Sequence, residues 1–250
     1  MTGLLRAEIL KLRTVKTAFG LTAAMLGLVC LLVLVHAFAL SEDNANFRNE
    51  MHVFGWGQLG VVFAALFGAL SITGEYRSGT IRPTFLATPQ RGRVLAAKIV
   101  VCGFVGALFG AASEALTIGI GSAVLSARGL PNELGGADYA QLFAGGVVAA
   151  ALWGPLGLGL GAILRSQVAV LIGLCAWLLF VENVLIMQLP GAVRFFPGAV
   201  GGAISGTTIT GEIPTDPSLL APGLGGLLLF AYAVAAIMAG VAATARRDVP

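Results

Sequence analysis

The chain alternates between long apolar runs and short polar segments, at a spacing typical of helices that cross a bilayer. Six runs approach the roughly 20 apolar residues that a membrane-spanning helix needs. The predicted spans run at about Ala18–Leu40, Val53–Thr73, Leu95–Ser126, Tyr139–Leu164, Val168–Leu189 and Pro222–Ala245. We therefore expect an all-α polytopic membrane protein with six transmembrane helices, forming a single transmembrane domain over residues 1–250.

The composition agrees with a membrane protein and excludes a soluble globular domain. Hydrophobic residues make up 57% of the chain and charged residues only 11%, whereas soluble domains carry about 25% charged residues. The three cysteines lie in apolar runs without C-x-x-C spacing, so neither a metal site nor a disulfide framework is expected. We also expect no nucleic-acid partner.

The first 17 residues predict an amphipathic helix that lies on the membrane surface. Leu5, Ile9 and Leu12 recur at the spacing of one helical face, while Arg6, Lys11 and Arg13 lie mostly elsewhere. The alternative is a plain positive flank that orients the first span. The apolar run that follows is long enough to span, which favours an uncleaved anchor over a signal peptide.

The distribution of basic residues predicts the orientation. With the N-terminus inside, twelve of the 15 Lys and Arg residues fall in inner segments, and only Arg48, Arg128 and Arg194 fall outside. Positive charge collects on the cytoplasmic side of membrane proteins. We therefore expect a multi-pass protein of the cell membrane with both termini in the cytoplasm.

The inner segment Gly74–Arg93 carries four arginines and several residues that disrupt helices. Gly74 is expected to end span two, and Glu75-Tyr76-Arg77-Ser78 to form a short exposed helix that ends at Gly79, before Thr80. A loop that serves only to orient the protein needs charge alone. The additional breaks predict a compact cytoplasmic handle, although a simple positive loop would also fit.

The longest outer connection, residues 190–221, is apolar in its first half but interrupted by Gly and Pro. It is too short to cross the bilayer. The pattern fits a re-entrant helix that dips into the outer leaflet, or a surface loop, and the sequence does not separate the two.

Two acids lie inside predicted spans, Glu114 in span three and Glu182 in span five, where a charge costs at least about 2.5–3.5 kcal/mol. Glu114 shares a helical face with small residues and is expected to turn away from lipid. That face consists of Gly103, Gly106, Gly110, Glu114, Thr117 and Gly121. Each acid could be a structural hydrogen-bonding group. Alternatively, with Thr117 and Asn183, the acids line a substrate path or take part in proton coupling.

The chain lacks the G-x-x-x-x-G-K-[ST] pattern with which a P-loop cradles ATP. At the handle it nevertheless resembles the ABC-2 type transporter permease family. The resemblance rests on Glu75-Tyr76-Arg77-Ser78-Gly79-Thr80, then Thr88-Pro89-Gln90-Arg91, then Lys98, and on the N-terminal Glu8-Ile9-Leu10-Lys11-Leu12-Arg13. Together with six spans, the similarity covers essentially the whole chain.

The resemblance implies a permease subunit of an ABC exporter that moves a lipid, drug or antimicrobial-type substrate outward. It pairs with a second permease subunit, as homodimer or heterodimer, and with an ATP-binding cassette subunit that holds ATP and Mg. This chain itself is then no enzyme and binds no cofactor. The implied coupling residues are those of Glu75–Thr80 together with Arg6, Lys11 and Arg13. Two alternatives stay open: a non-transporting immunity or sensor subunit, and a membrane enzyme that uses Glu114 and Glu182.

Overall fold

The structure is a computed structural model that describes residues 2–14, 16–80, 91–130, 132–188, 190–207 and 219–246. These residues form helices and connecting turns without any β-strand, which confirms the predicted all-α polytopic fold. The helices are α1 Thr2–Thr14, α2 Lys16–Ala39, α3 Phe47–Gly55, α4 Leu59–Ser78, α5 Arg91–Ala127, α6 Gly136–Leu164, α7 Gln167–Ala176, α8 Glu182–Gln188, α9 Pro190–Val193, α10 Pro197–Ser205 and α11 Pro222–Arg246.

Five helical stretches in the described part of the chain are long and apolar enough to cross a membrane. They are Lys16–Ala39, Phe47–Ser78, Gly92–Ala127, Gly136–Leu164 and Pro222–Thr244. The predicted fifth span begins as the shorter apolar helix Gln167–Val181 and passes through a π-helical turn, Trp177–Val181, directly into α8. A six-span count therefore stays a prediction at this span.

Helix α6 is the centre of the bundle, because α4, α5, α10 and α11 all pack against it. Glycines allow these backbones to approach closely: Gly157 lies against the backbone of Ala65 in α4, and Gly154 against that of Cys102 in α5. Any side chain at these positions would collide with a neighbouring carbonyl group. The helix continues through Pro155 without interruption.

The small-residue face of α5 packs against neighbouring helices, as the glycine spacing predicts. Gly106 and Gly110 lie against α6, and Gly121 lies against the ring of Phe54. Glu114 and Thr117 on the same face are fully buried.

Contacts between distant segments define one end of the bundle, which we call the basic end. There the end of α4 meets the N-terminal helix, the connection between α6 and α7, and the last turns of α11. The contacts include Lys11 with Glu75, Arg77 with Gln167, Tyr76 with Thr244, and Arg165 with the carbonyl of Ala243. The segments predicted to lie inside therefore gather at the same end.

The short separate helix predicted for Glu75–Thr80 is wrong. Helix α4 continues through Gly74 to Ser78, and it ends at Gly79, whose φ of 69° is the left-handed conformation that glycine adopts without strain. A glycine inside a helix costs about 1 kcal/mol relative to alanine. The ion pairs that Glu75 forms with Lys11 and Lys98 in the last turn of α4 offset this cost. Residues 81–90 lie outside the described residues.

The described part of the connection between residues 190 and 221 is helical in its first half. Helix α10 is buried and packs against both α6 and α11. Residues 208–218 are not among those described. Packing inside the bundle agrees better with a re-entrant helix than with a surface loop, although a dip into the membrane stays a prediction.

Candidate functional site

Four charged side chains from three helices meet at the basic end, and we call them the charge cluster. They are Glu8 and Lys11 of α1, Glu75 of α4 and Lys98 of α5. Nζ of Lys11 lies 2.8 Å from Oε1 of Glu8 and 2.6 Å from Oε1 of Glu75. Nζ of Lys98 lies 2.9 Å from Oε2 of Glu8 and 2.7 Å from Oε1 of Glu75. The cluster joins three segments that are distant in sequence.

The charge cluster is electrically balanced, which allows Glu8, Glu75 and Lys98 to be buried while Lys11 stays partly exposed. Taking charges out of water is expensive unless each is paired and hydrogen-bonded. Each lysine contacts both carboxylates, and Lys98, whose side chain is only 3% exposed, also donates to the carbonyl of Ser71 at 3.3 Å. The cluster therefore holds α1 against the bundle through charge-assisted hydrogen bonds rather than through apolar contacts alone.

The two α1 members of the cluster have shifted pKa values. Burial would raise the pKa of Glu8, but the charge of Lys98 and the hydrogen bonds from both lysines outweigh burial and lower it. Burial would lower the pKa of Lys11, but its hydrogen bonds to Glu75 and Glu8 raise it. Both groups are therefore charged over a wider pH range than in an isolated helix.

The inward face of α1 differs from the predicted apolar face. Leu5 packs against the core as expected, but Ile9 is 47% exposed, and Glu8 is turned towards the bundle. Arg6 is exposed. The side chains of Leu12 and Arg13 lie outside the described residues. The helix is thus anchored by its charges, which hydrophobic periodicity does not reveal.

The remaining predicted coupling residues surround the cluster. The ring of Tyr76 lies 5.2 Å from the guanidinium of Arg165, and its hydroxyl group lies 3.3 Å from that of Thr244. Arg77 is exposed, and its guanidinium donates to Gln167 at 3.4 Å.

Arg77 and Ser78 at the end of α4, and Gly79 and Thr80 after it, are exposed. The hydroxyl of Ser78 donates to the carbonyl of Gly74 and lies 2.8 Å from that of Thr80. Of the predicted coupling residues, Arg6, Arg77, Ser78, Gly79 and Thr80 are accessible, whereas Glu75 is buried in the charge cluster.

Glu114 belongs to a second, fully buried network. The amide of Gln58 donates to Oε1 of Glu114 at 3.2 Å and to the hydroxyl of Ser205 at 2.7 Å, so it connects α5 with α10. Gly57 and Gly146 flank the carboxyl group, and a Cβ at either position would collide with it. Within the described residues, Oε2 of Glu114 and the hydroxyl of Thr117 have no hydrogen-bond partner. Because neither glycine has a side chain, the carboxyl group of Glu114 fits between them.

Glu182 has a different environment, at the N-terminus of α10. Its carboxylate accepts hydrogen bonds from the backbone N–H groups of Gly198 and Ala199 and, at 3.0 Å, from the indole of Trp177. A carboxylate here satisfies N–H groups that a helix leaves unpaired in its first turn. This geometry favours a structural role. The side chain of Asn183 lies outside the described residues.

Glu114 and Glu182 share no hydrogen-bond partner in the described part of the chain, so the structure does not favour their use as an acid–base pair. The sequence alone did not connect Glu8 and Lys98 as ion partners. It also gave no reason to select Gln58 or Ser205. The available signal was that Glu8, Glu75 and Lys98 lie beside apolar runs, where an unpaired charge is costly. This indicates that each has an ion partner but does not show which residue it is.

Residues 4–181 match the profile of a family described as ABC-2 family transporter protein. The match covers more than half of the chain and includes the whole charge cluster. The chain belongs to the ABC-2 transporter family. A comparison with curated proteins found no match. In this ABC-2 permease, the matched region holds all of α1 to α7 apart from the first residues, whereas α10 and α11 lie beyond it.

Proposed function

We propose that this permease is the membrane subunit of an ABC exporter and that a separate ATP-binding cassette subunit drives it. The observation that carries the proposal is the charge cluster, in which Nζ of Lys11 in α1 lies 2.6 Å from Oε1 of Glu75 in α4 and so joins the two segments that hold the predicted coupling residues. A force applied to the exposed residues beside the cluster would reach α4 and α5 together. The partner would hold ATP and Mg, since the permease has no P-loop.

The proposed complex contains two permease subunits, as homodimer or heterodimer, with the basic end in the cytoplasm and both termini on that side. The excess of Lys and Arg in the inner segments supports this orientation. The exported substrate would be a lipid, drug or antimicrobial-type molecule, as the family resemblance suggests. The separate environments of Glu114 and Glu182 argue against the membrane enzyme considered as an alternative.

The proposal is tested by cross-linking the permease to the ATP-binding cassette subunit encoded nearest to its gene. Arg77→Cys places a reactive thiol on the exposed part of the handle. Arg48→Cys is the matched control, because Arg48 is an exposed arginine in the segment at the opposite end. We expect a short bifunctional reagent to join the subunits only through position 77. Cross-linking through position 48 alone, or failure of the subunits to copurify, would overturn the proposal.

A further inference from the structure

A cavity of about 540 Å³ lies beside the charge cluster, where α1, the first turns of α2 and α5, and the start of α7 meet one face of α4. This volume lies within the range of about 300–1,000 Å³ that is typical of ligand pockets. The predicted coupling role concerns the exposed residues around the cavity and leaves its interior without a function. The chemistry of the lining residues indicates which kind of molecule the cavity suits.

The wall of the cavity changes from charged to apolar along α4. Arg77, Gly74, Leu70 and Phe67 all line it and recur at the spacing of one helical face. At about 1.5 Å per residue, the ten residue steps between Phe67 and Arg77 cover roughly 15 Å. Arg77 is exposed at the basic end, whereas Phe67 is buried inside the predicted span. Such a shape fits a molecule with a polar head and a hydrocarbon tail.

The apolar part of the wall comes from three helices. Leu21 of α2 and Val101 of α5 line the same cavity as Phe67 and Leu70 of α4. All four residues belong to helices long enough to cross the membrane. A hydrocarbon chain in this part of the cavity would remain within the thickness of the bilayer, as the acyl chain of a lipid does.

The charged end of the cavity carries a net positive charge. Three basic and two acidic side chains are among the described residues that line it, which gives a formal charge of +1. The two acids, Glu8 and Glu75, both pair with Lys11 and Lys98 inside the charge cluster. The positive charge that remains belongs to the third basic residue, Arg77.

Arg77 is placed to bind an anion. Its exposed guanidinium donates to the neutral side chain of Gln167 at 3.4 Å and forms no ion pair with any residue that the structure describes. A guanidinium presents its N–H donors in a planar fork that matches the oxygens of a phosphate group. The hydroxyl-bearing residues Ser78 and Thr80 line the cavity at the same end. A phosphate here would neutralise the charge that the cluster leaves unbalanced.

We infer that this cavity binds an anionic glycerophospholipid from the leaflet at the basic end. The phosphodiester contacts Arg77, and one acyl chain runs between α2, α4 and α5 past Leu70 and Phe67. Basic pockets between transmembrane helices bind the headgroups of anionic lipids. Ethanolamine and choline lipids carry the same phosphate but add a positive group, which the net positive charge of this end disfavours. The site does not depend on the proposed ATPase partner, and its test uses the permease alone.

The first test is native mass spectrometry of the purified full-length permease in detergent. The protein is mixed with equimolar phosphatidylglycerol, phosphatidylethanolamine and phosphatidylcholine of identical acyl chains. We expect phosphatidylglycerol adducts to exceed each of the others by about fivefold, which corresponds to about 1 kcal/mol, the contribution of one basic residue beside anionic lipid. Equal retention of the three lipids, or a preference for either zwitterionic lipid, would overturn the inference.

Two arginine variants separate the cavity from a general attraction of anionic lipid to basic residues. Arg77→Gln removes the cation that lines the cavity, whereas Arg6→Gln removes an exposed cation of α1 that is not part of the lining. We expect only Arg77→Gln to lower the phosphatidylglycerol excess towards one. An equal loss in both variants would show diffuse attraction and refute the site. An excess that survives Arg77→Gln would contradict the phosphate contact.

A cavity-filling variant locates the bound lipid. Gly74 lines the cavity, and no atom lies within 4 Å of the position that its Cβ would take, so Gly74→Phe directs a ring into open space. Gly20→Phe is the matched control on an exposed face of α2, where the space is also open. We expect Gly74→Phe to abolish the phosphatidylglycerol excess and Gly20→Phe to retain it. Retention in both variants would place the lipid elsewhere.

Two measurements on the unaltered permease keep the site testable if Gly74→Phe fails to fold. Phosphatidylglycerol with a photoreactive group on one acyl chain should label peptides that contain Leu21, Leu70 or Val101, and labelling confined to other helices would refute the site. Excess inorganic phosphate should leave the lipid adducts unchanged, because it lacks the chain that fills the apolar part of the cavity. Displacement of the lipid by phosphate would show that the site takes a free anion instead.

Discussion

Nζ of Lys98 lies 2.9 Å from Oε2 of Glu8, although ninety residues separate them in the sequence. The bond links the N-terminal helix to α5, and because Lys98 is almost completely buried, no water can replace its partner. Breaking a buried ion pair by removing one member costs about 3–5 kcal/mol, and the removal of Lys98 would leave the two carboxylates of the cluster to share Lys11. We expect Lys98→Met to destabilise the permease by about this amount, measured by SDS-induced unfolding in mixed micelles.

The matched control is Arg77→Met, which removes an exposed cation from the same end of the bundle and should change stability by no more than about 0.5 kcal/mol. The double variant Lys98→Met with Glu75→Leu removes one charge of each sign and leaves Lys11 paired with Glu8. Because these residues contact each other, we expect the double variant to lose less stability than the sum of the single variants. Strict additivity would contradict a cooperative cluster.

The shifted pKa values of Glu8 and Lys11 predict how the attachment of α1 depends on pH. The pKa of Glu8 is lowered in the folded state, so its contribution is present above its unfolded pKa and is lost as the pH falls through the folded value. The pKa of Lys11 is raised, so its contribution is present below its unfolded pKa and is lost as the pH rises through the folded value. Helix α1 should therefore stay attached across neutral pH and detach at both extremes.

This pH dependence can be measured with spin labels at Ala7 and Arg93, which are both exposed. We expect a narrow distance distribution near neutrality that broadens in strong acid and in strong base. A Glu8→Gln variant should lose the acid transition while the alkaline one persists. A distribution that is unchanged at both extremes would show that the charge cluster does not hold the helix.

The close packing of Gly57 and Gly146 against Glu114 predicts that a larger residue at either position destabilises the permease. In Gly146→Ala, the new Cβ would lie 2.6 Å from Cγ of Glu114, too close for any real contact. Overpacking of this kind typically costs about 1–3 kcal/mol. Gly119→Ala on α5 is the matched control, because nothing lies within 4 Å of its Cβ position. We expect only Gly146→Ala to lower the unfolding midpoint in detergent. Equal midpoints would mean that the side chain of Glu114 can move away from the new methyl group at little cost in stability.

The sequence predicted those parts of the fold that depend on local pattern. Apolar run lengths identified the five stretches that are long enough to cross a membrane, and the glycine spacing identified the face of α5 that packs against α6 and buries Glu114. The end of α4 was predicted five residues too early, because the cost of Gly74 in a helix is small beside the ion pairs of Glu75, which depend on residues far away in sequence. The π-helical turn at Trp177 gave no signal, since its residues are as apolar as those of an ordinary span.

The candidate site was predicted only in part for the same reason. Lys11 and Glu75 were both selected as coupling residues, but their direct contact is a tertiary fact that no spacing encodes. The sequence predicted that Glu75 is exposed, and the structure shows it buried between two lysines. Charge reversal at Glu75 should therefore destabilise the bundle as well as alter coupling, which makes Arg77 the better position for testing the handle.

The carboxylate of Glu182 predicts a structural link between the fifth span and α10. Glu182→Gln keeps the shape of the side chain but removes the charge that favours the N–H groups of Gly198 and Ala199. We expect faster amide hydrogen exchange in α10 and unchanged exchange in α1, measured by mass spectrometry. Glu42→Gln, at an exposed acid, serves as the control. Unchanged exchange in α10 would leave Glu182 free for the substrate path considered from the sequence.

The proposed orientation predicts which single cysteines react from outside the cell. Arg48 and Arg194 belong to predicted outer segments and Arg77 to an inner one, and all three side chains are exposed. In intact cells, a membrane-impermeant maleimide should label Arg48→Cys and Arg194→Cys but not Arg77→Cys, which should react only after permeabilisation. For this test the native cysteines are replaced by alanine or serine. Because Arg77 contacts Gln167 and Arg165 contacts both Tyr76 and α11, labelling at position 77 reports the side on which the whole basic end lies. Labelling of Arg77→Cys in intact cells would show that the basic end faces outward. A cytoplasmic ATPase could then not contact the handle.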